Sequence, residues 1–183
     1  DINTKVKDIS ILTDGEKDYL LNDFNNTYLK YPHDETISTL FEKQVKKSPK
    51  DLALVFHGKA LTYDELNKKA NSLAKYLRNL GVTRNDIIGI MLPRSLELII
   101  AMLAVLKAGA TYIPIDPSFP KDRIMYMLDN SNSKYLLTFK TLEKATNFEN
   151  KIFIELENSS IYSLEHKNLV NINKPTDSSY IIY

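Results

Sequence analysis

The chain has 183 residues, 43% of them hydrophobic, with 24 basic and 23 acidic side chains and a net charge of +1. That suits one well-buried domain with a short appendage, and the interleaving of both charge signs gives no electrostatic case for nucleic acid or an anionic membrane. There is no cysteine for a disulfide or a thiolate nucleophile, and His33, His57 and His166 lie too far apart for zinc-ligand spacing.

In chain order, residues 1–35 read as a linker leading into the main domain. Within it Ile9–Leu12 is a candidate short strand. Thr13 and Glu16 have capping-box spacing, which predicts a short helix through Tyr19, Leu20 and Phe24. A clear helix begins near Thr36, with Ile37, Leu40, Phe41 and Val45 on one face, and ends at Lys46, Lys47 and Pro49. Leu52–Phe56 and Ala60–Thr62 read as two strands joined by a tight turn at His57-Gly58-Lys59. A second capping box, Thr62 to Glu65, opens a helix reaching Leu80, with an apolar stripe through Leu66, Ala70, Leu73, Ala74 and Leu77.

From there the pattern alternates. Ile87–Leu92 is a buried strand, and Ser95–Ala108 is a nearly all-apolar helix. That helix carries Glu97 and Lys107 and falls short of the ~20 apolar residues of a membrane span, so it is a core helix. Gly109 is its left-handed cap, Thr111–Ile115 the next strand, and Pro120 sits in the first turn of a helix to Leu128. Tyr135–Phe139 and Lys151–Glu155 are further strands, while the Asn-, Ser- and Lys-rich residues 140–150 and 156–176 read as surface connections. Continuous apolar strands alternating with helices predict an α/β fold, a mostly parallel sheet flanked by helices on both faces. Asp1 and the apolar Tyr180–Tyr183 run at the other end are expected of a piece cut from a longer polypeptide.

Among residues that could carry chemistry, Asp64 and Glu65 are better explained as a helix cap than as an acid/base pair. Asp116 lies at the carboxyl end of a buried strand, where open sheets bind ligands, but has no base, metal ligand or phosphate cradle near it in sequence. A structural role is expected for it, and packing for Tyr183. The five glycines are scattered at helix ends and turns, with neither a Walker-type loop nor a dinucleotide fingerprint.

Two strings, Leu61-Thr-Tyr-Asp-Glu-Leu66 and Leu106-Lys-Ala-Gly-Ala-Thr-Tyr-Ile-Pro-Ile-Asp116, resemble the first two core motifs of the amino-acid adenylation domains of non-ribosomal peptide synthetases, of the surfactin, gramicidin and tyrocidine synthetase type. Ser178-Ser-Tyr-Ile-Ile-Tyr183 resembles the opening of the third, and Met91-Leu-Pro-Arg-Ser-Leu-Glu97 the family's strand-to-helix turn. Upstream, Leu12-Thr-Asp-Gly-Glu-Lys17, Phe24-Asn-Asn-Thr27, Tyr31-Pro32 and Leu40-Phe-Glu-Lys-Gln44 look like the linker after a condensation domain. Thr111, where many members have Ala, departs from the pattern without touching chemistry.

The resemblance implies that residues 36–183 are the N-terminal portion of an adenylation domain, truncated before the phosphate-binding loop. The parent domain would use ATP and Mg²⁺ to make an aminoacyl-AMP and load it on the phosphopantetheine of a carrier domain. Its partners would be the rest of the adenylation domain, an upstream condensation domain and a downstream carrier domain, in the cytoplasm, with no nucleic acid or membrane. The catalytic, cofactor-binding and metal residues would all follow Tyr183, so none is assigned here and the piece alone is expected to be inactive. A free-standing acyl-CoA, aryl-acid or D-alanine ligase, or a complete non-catalytic α/β interaction module, are the alternatives.

Overall fold

The computed structural model describes residue 5 and residues 11–142, 151–163 and 166–183. It divides into two compact units, Asp1–His33 and Asp34–Tyr183.

In the first unit the capping box forms as its spacing requires. The Thr13 hydroxyl accepts from the Glu16 amide at 3.2 Å, and the Glu16 carboxylate accepts the Thr13 amide at 2.8 Å. This opens α1, Asp14–Asp18, which widens into a π-helical turn over Tyr19–Asp23. The Asn25 side-chain amide closes it by donating to the carbonyls of Leu20 and Leu21, at 3.0 and 2.9 Å. The strand expected over Ile9–Leu12 lies partly outside the described residues, and Ile11 and Leu12 form no strand.

The second unit starts with α2, Ile37–Lys47, capped by Thr36. The antiparallel hairpin of β1, Leu52–Phe56, and β2, Lys59–Thr62, follows. His57 and Gly58 both have positive φ, 46° and 76°, as a two-residue type I′ turn demands. Then come α3, Tyr63–Asn79; β3, Ile87–Met91; α4, Leu96–Ala108; β4, Thr111–Ile115; α5, Lys121–Asn130; β5, Tyr135–Thr138; and β6, Ile152–Glu155. A 3₁₀ turn covers Ser159–Ser163. Pro120 stands one position earlier than expected, as the N-cap of α5.

The four-stranded sheet has the order β4-β3-β5-β6, and every pair in it is parallel. Side-chain alternation along β3 divides the core in two. Ile88 and Ile90 face α3 and α4, together with Tyr135 and Leu137 of β5. Ile87 and Met91 face α5, together with Leu136. Gly89 also faces α5: a Cβ there would stand 2.8 Å from a methyl of Leu128 and of Leu136, so only glycine lets α5 settle this close. On the other face Ala74 of α3 and Ala101, Ala104 and Ala108 of α4 are completely buried, and such short side chains let two helices approach.

The expected inner face of α2 needs correction. Val45 is buried and Phe41 packs on the core, but Ile37 and Leu40 are 48% and 43% exposed, and Ser38 is buried instead. The helix is turned so that Glu42 meets Lys107, whose side chain is only 1% exposed; the two form an ion pair.

Candidate functional site

The carboxyl ends of β3 and β4 open onto a crevice of about 350 Å³. Its floor is apolar, from Ile90, Leu92, Met102, Ile115, Phe119 and Met127, and its rim carries Arg94, Asp116 and the chain end Ile182-Tyr183. A larger cavity, about 500 Å³, lies at the amino ends of β3 and β5 and is lined by Thr83, Asp86, Ser133 and Lys151 among others. Its charged groups hold loops together: Lys151 Nζ pairs with Asp129 at 2.8 Å and donates to the Ser133 carbonyl, and Asp86 accepts the Thr83 amide. Open parallel sheets collect ligands at their carboxyl ends, which makes the smaller crevice the candidate site.

Three elements build it. After β3, Leu92-Pro93-Arg94 leads to Ser95, whose hydroxyl caps α4 by accepting the Leu98 amide at 3.2 Å. The Arg94 side chain is exposed and makes no ion pair among the described residues. After β4, Asp116 closes a turn: its carboxylate accepts the Ser118 amide at 2.8 Å, and its carbonyl accepts the Phe119 amide at 3.1 Å. The Ser118 hydrogen bonds hold the Asp116 carboxyl below its ordinary range, so it is ionised at neutral pH and unsuited to donating a proton. Arg123 lies over the Phe119 ring, 4.2 Å from its centre, and fixes the far side of that turn.

The third element is the C-terminal segment. Residues 178–183, which resemble the opening of the third motif, form a single parallel bridge, Tyr112 to Tyr180, on the outer edge of β4. The Tyr112 amide donates to the Ser179 carbonyl at 3.2 Å, and the Ile181 amide to the Tyr112 carbonyl at 2.9 Å. The next ladder bond would need an N–H from Pro114, which has none, so pairing stops there. Tyr183 is held by its hydroxyl, 2.7 Å from the Asn130 carboxamide oxygen, and by an edge-on contact with Tyr126.

The structure therefore brings Asp116 and Tyr183 to one crevice and leaves Asp64 and Glu65 outside it. The latter are helix-start groups: Glu65 completes the cap with Thr62 and Asp64 pairs with Lys68 at 2.7 Å. Arg94 is the residue that sequence reasoning passed over. It stood in a quoted motif, and its place directly after a buried strand was the signal that could have singled it out.

The family model for AMP-binding enzymes matches residues 41–183. The chain belongs to that family. Within it, gramicidin S synthase 2 of Brevibacillus brevis is 43% identical over 186 residues, covering 99% of this chain and 4% of the synthase. Bacitracin synthase 2 of Bacillus licheniformis is 44% identical, covering 97% of this chain and 7% of the synthase. Among solved structures, the non-ribosomal peptide synthetase FmoA3 with bound α-methyl-L-serine-AMP superposes with a TM-score of 0.82 at 27% identity, over 88% of this chain and 18% of that one. The resemblance read from the motifs is thus borne out, and so is the α/β fold. This chain is homologous to a part of a peptide synthetase adenylation domain and spans only a small fraction of the relatives it matches.

Proposed function

We propose that the polypeptide containing this chain activates an amino acid with ATP and passes it to a phosphopantetheine thiol on a carrier domain. The amino-acid carboxylate oxygen would bond to the α-phosphorus of ATP as the bond to pyrophosphate breaks. An aminoacyl-adenylate results, and the thiol then displaces AMP from it. The observation that carries this is the match to peptide synthetases along nearly the whole chain, with a crevice at the carboxyl ends of the strands they share. Residues 1–35 would be the linker from a condensation domain, and residues 36–183 the first layers of the adenylation domain.

In this scheme the chain's own residues form one wall of a larger site. Leu92, Met102, Ile115 and Phe119 exclude water from the crevice floor. Arg94, the one cation among the described lining residues, would face an anionic group. Asp116 keeps the β4 exit in shape. Among the described residues no three His, Asp or Glu side chains gather as a metal site, so none is assigned to Mg²⁺ and no step is routed through it. Among them, too, no helix is long and apolar enough to cross a membrane.

The test is amino-acid-dependent ATP–pyrophosphate exchange by a polypeptide extended past Tyr183, screened against amino acids and simple fatty and aryl acids. Exchange with one amino acid is the expected result. Exchange with a fatty or aryl acid alone would move the protein to the free-standing ligases, and silence from a folded protein would favour the non-catalytic module. Residues 1–183 alone are expected to be inactive, and micromolar ATP binding to them in a calorimeter would overturn that.

A further inference from the structure

Between His166 and Asp177 the chain has no helix or strand, yet it is tied down along its length. The Asn71 side chain donates to the His166 carbonyl at 2.7 Å, Arg78 to the Val170 carbonyl at 2.9 Å, and Asn173 to the Leu106 carbonyl at 3.0 Å. Ile172 seats directly over the bare Cα of Gly109. The strap ends in a two-pronged ion pair. Arg84 Nε donates to Asp177 Oδ2 at 2.7 Å, and Arg84 Nη2 donates to Asp177 Oδ1. The Lys174 amide also donates to Oδ2, at 2.8 Å, so both carboxylate oxygens are engaged. The next residue begins the segment along β4, with the Thr111 hydroxyl donating to the Ser178 carbonyl at 2.8 Å.

A segment held to its sheet by one bridge has a weakly specified register, and a slip of one residue turns every side chain to the opposite face. Here such a slip would exchange the directions of Ile182 and Tyr183, which line the crevice. The two ladder bonds at Tyr112 oppose it, but Pro114 withholds the next one, so the ladder holds the register only there. The fork of Arg84 on a carboxylate is both strong and geometrically exacting, and it stands immediately before the first residue of the segment.

We infer that the Arg84–Asp177 pair is a positioning device for the candidate site, setting the register of residues 178–183 on β4 and so the placement of Ile182 and Tyr183 in the crevice wall. Six residues at about 3.3 Å each carry that setting roughly 20 Å from the pair to the crevice. Neither residue lines the crevice; both act through the backbone between. The consequence for nucleotide use rests on the adenylate-forming activity proposed above.

The experiment compares wild type, Arg84→Gln, Asp177→Asn and the exchanged pair Arg84→Asp/Asp177→Arg in the full synthetase polypeptide. Two readouts are taken: KM for ATP and kcat in pyrophosphate exchange, and hydrogen exchange at the Tyr112 and Ile181 amides. Each single variant is expected to raise KM roughly tenfold with kcat within about threefold, and the exchanged pair to recover most of the loss. A merely structural role would lower the active fraction, and thus kcat, without moving KM; that result would overturn the inference. Both amides are expected to exchange at least about tenfold faster in the single variants. If the wild type activates no acid, the proposed function fails and the amide readout decides alone: unchanged protection overturns the positioning role, and lost protection sustains it.

Discussion

Two unrelated demands meet at the Cα of Gly109. Its φ is +103°, a conformation that L side chains resist, and an added Cβ would stand 2.6 Å from Cδ1 of Ile172. Gly109→Ala is therefore expected to cost about 2–4 kcal/mol, read as a lower urea midpoint with unchanged slope. Combining it with Ile172→Ala should cost less than the sum of the two, because the shortened side chain relieves the clash but not the backbone. Two residues earlier lies a different hazard. Burial pushes the Lys107 ammonium down from its ordinary range, and the Glu42 carboxylate opposes that. Glu42→Met leaves the charge buried without its partner and is expected to lose about 3 kcal/mol, whereas Lys107→Met should be close to neutral. In Glu42→Met the unfolded chain holds the Lys107 proton to higher pH than the folded one, so stability should climb as pH rises toward 10.5. A flat profile from pH 7 to 10 would count against this.

At the scale of elements, what the sequence revealed depended on how far apart the interacting residues lie. The boxes at Thr13–Glu16 and Thr62–Glu65 span three residues, and both formed as spaced. The β3–α4–β4 run was equally plain, since each element announces itself by its own apolar pattern and its own cap. The face of α2 was misjudged because Lys107, which draws Glu42 inward, lies 65 positions away and no periodicity records it. The strap was read as mere connection for the same reason: Asn71 and Arg78 reach it across 95 and 92 positions. Its anchor also has a pH signature. The Arg84 hydrogen bond, helped by the Lys174 amide, lowers the Asp177 carboxyl from 3.8 to about 2. A depressed carboxyl pKa means stabilisation that is complete above the unfolded value and disappears as pH falls through the folded one. The advantage of wild type over Asp177→Asn in urea midpoint should hold at pH 5 and vanish between about 4 and 2; a constant difference over that range would refute it.

For the whole molecule, the crevice was half legible. A carboxylate at the end of a buried strand pointed to Asp116, and the structure places it on the rim as a turn-former. Arg94 had a local signal, its place directly after a buried strand, but the wall made by Ile182 and Tyr183 depends on how separate chain segments converge, which no local pattern reports. Around residues 180–183 several large apolar side chains are open to solvent: Tyr126, Tyr180 and Ile182 are 61%, 54% and 72% exposed. Large apolar side chains left this exposed favour burial against another copy. Residues 1–183 in isolation are therefore expected to self-associate as concentration rises. Sedimentation showing monomer throughout, with no binding of an apolar dye, would contradict this.

The order of the strands has one more consequence, for how the sheet is assembled. β3 is the first of its strands to be synthesised and lies next to both β4 and β5. β4 joins one side of it, β5 the other, β6 adds beyond β5, and the bridge at Tyr180 adds beyond β4. Each strand thus meets a free edge as it emerges, and none has to be threaded between partners already joined. Among the described strands, synthesis and assembly can therefore run in the same direction, outward from β3.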